Sequence, residues 1–192
     1  MTLLILGLLL FLGVHSVRLF AESWRGGVRA RLGEGAYKGL YTLASAAGLL
    51  LIVWGYGVAR QQPVLLWLPP VWTRHLAALL MVPAFILLVA AYVPGNSIKG
   101  KLHHPMVLSV KVWALAHLLA NGTLADVLLF GGFLVWAGLS FRAARQRDRA
   151  GQVRYPAGRM GPTLVTLAVG LAAWVGFAFW AHSVLIGVRP FG

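Results

Sequence analysis

The stretch LHHPMVLSVKVWALAHLLANG, residues 102–122, sets His103, His104, Lys111 and His117 into a segment apolar enough to lie in a bilayer. Pro105 suits a first helical turn, and Asn121-Gly122 supplies a turn. The segment therefore reads as a short membrane helix from Pro105 to Ala120 with histidines at both ends. Whether those histidines carry chemistry depends on what surrounds them.

The composition answers first. Hydrophobic residues make up 59% of the 192 and charged residues 11%, with a mean hydropathy of +0.79, which describes an integral membrane protein. A chain of this length is taken up by its spans, which predicts one all-α, polytopic transmembrane helix bundle over residues 1–192. The absence of cysteine excludes disulfides, thiolate metal sites, covalent haem attachment and cysteine nucleophiles. Glu22, Glu34, Asp126 and Asp148 are the only acids, too few to favour paired-carboxylate catalysis. In so apolar a chain, a net charge of +13 points to basic loops against anionic lipid rather than to nucleic acid.

A run of about 20 apolar residues crosses a hydrocarbon core of about 30 Å. Six such spans are predicted: Thr2–Phe20, Tyr37–Ala59, His75–Val93, Pro105–Ala120, Leu124–Phe141 and Pro162–Val188. The first carries neither a preceding basic flank nor a clear cleavage site, and is expected to persist as a helix. The fourth and fifth are expected to form a tight hairpin. Residues 21–35 between the first two read as an interfacial helix. Small residues along the second span (Ala44 to Gly48) and the sixth (Gly170, Ala172, Ala173, Gly176) predict close helix packing. Trp67, Trp72, Trp174 and Trp180 read mainly as interface anchors.

Loop charge orients the spans. With the N-terminus outside, the inner loops hold thirteen basic residues: Arg18, Arg25, Arg29, Arg31, Lys38, Lys99, Lys101, Arg142, Arg145, Arg147, Arg149, Arg154 and Arg159. The outer side holds three, Arg60, Arg74 and Arg189. That asymmetry predicts both termini outside the cytoplasm.

Among the six histidines, His75 and His182 lie near span ends and read as interfacial. His15 and His117 lie deeper, where polar groups face the bundle interior. His104 and His117 are separated by about 20 Å along a helix and about 220° around it, so they cannot share one metal. His117 shares a face with Trp113 and Asn121, and His104 shares one with Lys111. Lys111 either snorkels or forms with His104 a polar site for an anionic headgroup or a haem propionate. A second ligand for His117 must come from another helix, and His15 is the deepest candidate. Two neutral imidazoles would then hold a b-type haem. By depth alone, His15 would pair with His104 instead. A histidine-only di-iron centre lacks clustered ligands, and a zinc hydrolase is disfavoured for want of a carboxylate beside a histidine pair.

GVHS in the first span, HHPMVLSVKVWALAHLLANG in the fourth and SFRAARQRDR after the fifth resemble the NnrU family, bacterial membrane proteins associated with denitrification. That family is related to the plant zeta-carotene isomerase, a haem b membrane enzyme. The resemblance implies haem ligation at His15 and His117, the HP histidine at His104, and a bacterial inner membrane, in which the outside termini would be periplasmic; independently of it, Trp113, on the face of His117, is expected to pack on a porphyrin. The plant enzyme's alternative thiolate ligand falls on Ala114, so no thiolate switch is expected. A more distant likeness to isoprenylcysteine methyltransferases lacks their acidic C-terminal motif. Three functions stay open: a haem b protein of nitrogen-oxide metabolism meeting nitric oxide, a haem-dependent isomerase of an apolar polyene, and a scaffold without cofactor.

Overall fold

The computed structural model describes residues 1–191 and contains no strand among them. Eight helices follow in order: α1 (Thr2–Phe20), α2 (Glu22–Leu32), α3 (Glu34–Ala59), α4 (Val71–Tyr92), α5 (Ser97–Leu102), α6 (Pro105–Ala120), α7 (Leu124–Ala150) and α8 (Met160–Ile186). Helices α1, α4, α7, α8 and the joined stretch Glu22–Ala59 are long and apolar enough to cross a membrane, and α6 is a shorter apolar helix. The protein is thus an all-α, multi-pass membrane protein. Leu9, Leu50, Leu79 and Val135 stay exposed on these helices, as suits side chains whose solvent is hydrocarbon.

The first and fourth spans begin and end where the sequence places them. The helix of the second span, α3, starts at Glu34 and that of the third, α4, at Val71, earlier than expected, because a helix continues past its apolar part while its residues still favour it. For the same reason α7 runs to Ala150, through the arginine-rich stretch that the fifth span excluded. Residues 22–32 do form a separate helix, with Trp24 exposed and no buried residue.

The chain divides into two compact units. The first comprises residues 1–67 and 123–140. In it α1 lies against α3 at backbone distance, through glycines on both helices. A Cβ on Gly7 would sit 2.6 Å from Ile52 N, one on Gly48 would sit 2.8 Å from Phe11 N, and one on Gly55 would overlap the backbone of Leu3 and Leu4. Gly48 belongs to the small-residue run seen in the sequence, while Gly7 and Gly55 stand singly and gave no such signal. Asp126, 4% exposed, ties α3 to the start of α7. It accepts from Tyr56 Oη at 2.6 Å on one oxygen, and from Thr123 Oγ1 at 2.6 Å and Thr123 N at 3.0 Å on the other. Thr123 and Asp126 together form a capping box. Residues 127–131 of α7 then widen into a π-turn.

The second unit comprises residues 68–122 and 141–192, described through 191. Helix α4 packs on α6, where Ser109 Oγ donates to the buried Ala84 carbonyl at 2.8 Å, and on α8, where a Cβ on Gly170 would lie 2.8 Å from Ile86 Cα. Gly176, expected to pack as closely, has nothing within 4 Å of the position a Cβ would take. It precedes a second π-turn, residues 177–181, which turns that part of α8 differently. Buried Asn96 caps α5, accepting from Lys99 N at 2.8 Å and donating to Ala90 O at 2.9 Å.

Gly55→Ala should destabilise the protein by about 1–3 kcal/mol through overpacking, whereas Gly57→Ala, with nothing within 4 Å, should cost nothing; unfolding in detergent compares them. Asp126→Ala should cost about 2–3 kcal/mol, from lost hydrogen bonds to a buried charge, in the same assay.

Candidate functional site

In the first unit His15 is half-buried on α1 among aromatic rings. Phe11 stacks on it at 4.2 Å between centroids, Tyr41 tilts at 5.3 Å, and Trp136 stands edge-on at 6.0 Å. His15 Nδ1 lies 2.7 Å from the Phe11 carbonyl. A carbonyl only accepts, so Nδ1 carries the proton and the lone pair falls on Nε2. Trp136 Nε1 is buried without a hydrogen-bond partner among the described residues. An apolar groove of about 350 Å³, which His15 does not line, runs between Leu8, Leu12, Gly13 and Ser16 of α1 and Leu128 and Gly132 of α7.

In the second unit His117 repeats that arrangement. Its Nδ1 is 2.8 Å from the Trp113 carbonyl, which again leaves the lone pair on Nε2. Trp113 tilts against it at 5.3 Å, and Asn121 Nδ2 donates to the His117 carbonyl at 2.8 Å. Trp113 and His117 occupy one face of α6, as their spacing predicts, whereas Asn121, expected on that face, lies just past the helix end in extended backbone (φ −130°, ψ 145°) and reaches back with its side chain. Ala114, where the plant enzyme's thiolate would fall, is fully buried. His75 is exposed, and His182 bonds the Val188 carbonyl at an exposed site.

His104 has other partners. Its Nε2 lies 2.7 Å from Asp148 Oδ2 and 3.5 Å from Tyr155 Oη, while Tyr155 donates to the same Asp148 oxygen at 3.1 Å. Arg145 and His103 flank that oxygen at 3.8 and 4.0 Å. The sequence reading that no carboxylate stands beside a histidine pair is therefore corrected. Asp148 is 44 residues from His104 and meets it only because α7 continues beyond its apolar part. No three His, Cys, Asp or Glu side chains among the described residues are arranged to hold a metal ion. Lys111, expected to share a polar site with His104, is exposed on α6.

His103 adopts φ 70° and ψ −57°, and His104 N bonds the Leu102 carbonyl at 2.9 Å. That is a γ-turn of the rare positive-φ form, a strain of about 1–3 kcal/mol in a non-glycine residue. It holds the His103 ring parallel to Tyr155, 4.0 Å between centroids and 7° between planes. Burial, and then the Asp148 carboxylate that takes its hydrogen bond, push the Tyr155 hydroxyl above the ordinary phenol range.

A multi-pass helical protein with two membrane histidines in the same tautomer, and a third oriented by a carboxylate, is the class that fold and side chains define. The chain belongs to the NnrU family: the family model described as NnrU protein matches residues 3–190. No curated protein and no solved structure matches it.

Tyr155→Phe should remove one of the hydrogen bonds to Asp148 and lower stability by about 1–2 kcal/mol, measured by unfolding in detergent beside Tyr92→Phe, an exposed control.

Proposed function

We propose that this NnrU protein binds haem b through His15 and His117 and serves nitrogen-oxide metabolism in the bacterial inner membrane. The observation that carries this reading is the shared proton placement. Each imidazole gives its Nδ1 proton to the carbonyl four residues back, at 2.7 and 2.8 Å, as metal-bound histidines do, fixing the ring and leaving Nε2 as the ligand atom. Trp136, with its buried unpartnered indole nitrogen next to His15, offers a donor to a polar group held there. The donor set fits an iron porphyrin, which needs two neutral nitrogens and an apolar lining.

Bound haem supplies redox chemistry and binding of gases such as nitric oxide at its iron. The chain's own residues hold and orient it: His15 and His117 as ligands, Phe11, Tyr41 and Trp113 as the aromatic surround. The denitrification role rests on the family resemblance. A second reading, isomerisation of an apolar polyene, is favoured by the groove between α1 and α7, whose lining suits a long hydrocarbon.

The purified protein should show a Soret band with six-coordinate, low-spin spectra when oxidised and when reduced. His15→Ala or His117→Ala should remove the band or make the haem five-coordinate, while His75→Ala and His182→Ala should leave it. A colourless wild-type protein from haem-replete cells would sink the reading, and loss of haem in His104→Ala but not in His117→Ala would sink the pairing. Carbon-source growth on nitrate against carotenoid isomer analysis in a deletion strain separates the two functions. Reporter fusions should place Arg147 in the cytoplasm and both termini outside it.

A further inference from the structure

Asp148 is the only acid in the second unit, and it is drawn inward to the His103-His104 turn. We propose that His104, Asp148 and Tyr155 form an acid–base site that takes a proton from a weakly acidic, anionic ligand. This site is independent of haem.

Four observations support it. The 2.7 Å contact with Asp148 holds the His104 proton on Nε2, because a carboxylate accepts, and so places the lone pair on Nδ1. No hydrogen-bond partner of that Nδ1 stands among the described residues, and the side chain keeps 22% of its surface exposed. An imidazole oriented by a carboxylate through one nitrogen and open through the other is the arrangement of a general base. Second, the strained γ-turn at His103 fixes where His104 begins. A plain structural latch between α7 and the α5–α6 turn needs no strained residue, whereas strain held by its surroundings is a mark of functional geometry.

Third, Asp148 is faced by His103 and His104 from the turn, Arg145 from α7, and Tyr155 from the loop that follows. When His104 gains a proton, the resulting imidazolium is balanced by Asp148. Fourth, Lys99, Lys101, Arg142, Arg147, Arg149 and Arg154 are all exposed in this unit. Asp148 is engaged within the cluster, so their charge is left to attract an anion. The step itself is a proton transfer. The ligand's O–H bond breaks, its electron pair stays with the ligand oxygen, the proton bonds His104 Nδ1, and it leaves to water when the ligand dissociates.

Inorganic phosphate is the probe, being anionic and weakly acidic at neutral pH. In the full-length protein with ring-¹⁵N-labelled histidine, His104→Gln identifies the His104 signals. Wild type should show His104 protonated at Nε2 and bare at Nδ1. Adding phosphate at constant pH and ionic strength should move the Nδ1 signal saturably towards its protonated position, while exposed His75 does not follow. Asp148→Ala should abolish both the tautomer bias and the response. Asp148→Asn, which keeps the shape if the alanine variant does not fold, should bind phosphate about tenfold more weakly, the effect of one hydrogen bond to a charged group. A His104 protonated at Nδ1, or a phosphate response that is linear and equal to that of His75, overturns the proposal. Because no reading uses the haem spectrum, its failure and the failure of haem binding are separate results.

Discussion

In hydrocarbon nothing but the chain can satisfy a backbone N–H or C=O, and this constraint governs the structure at every scale. It makes the spans helical, and it removes the hydrophobic effect as a reason for helices to associate, since a lipid tail is as apolar as a leucine. Association must then come from close contact. The approach of α1 to α3 shows the outcome: Gly7, Gly48 and Gly55 leave room for one backbone against the other, and dispersion forces act over many atoms at once. Polar groups add the rest, singly and fully satisfied, as in Tyr56 and Thr123 on Asp126 or Ser109 on Ala84.

The same constraint shapes the two membrane histidines. A helix interior gives an imidazole few partners, and the nearest is the carbonyl four residues back on its own helix. His15 and His117 both use it, so proton placement follows from helix geometry, and the nitrogen left with the lone pair is the outer one, Nε2. The tautomer of an imidazole in an apolar helix is in this sense set by its backbone. His104, at a turn rather than within a helix, escapes that rule and finds a carboxylate instead.

That carboxylate separates the two kinds of polar residue in the protein. Asp126 is closed in by Tyr56 and Thr123, neutral donors that hold a helix start in place. Asp148 is approached by two histidines, an arginine and a tyrosine, groups that change or carry charge. The first is an anchor. The second gathers titratable groups at the end of α7 where the arginines lie, outside the apolar part of the helix.

The sequence by itself determined the class and most helix positions, because hydropathy runs are local quantities that no packing can reverse. It also placed Trp113 and His117 on one face, since helical spacing alone settles that, but not Asn121, where the helix has already ended. It left the meeting of His104 with Asp148 unread, although both residues were in view, because their contact depends on how far α7 continues and on the turn at His103, and neither has a local signature. Gly7 and Gly55 were unread for a related reason: a lone glycine says nothing until a second backbone arrives against it. Tertiary structure decided these contacts because each joins residues far apart in the chain, and distance in space is the one quantity that composition and periodicity do not carry.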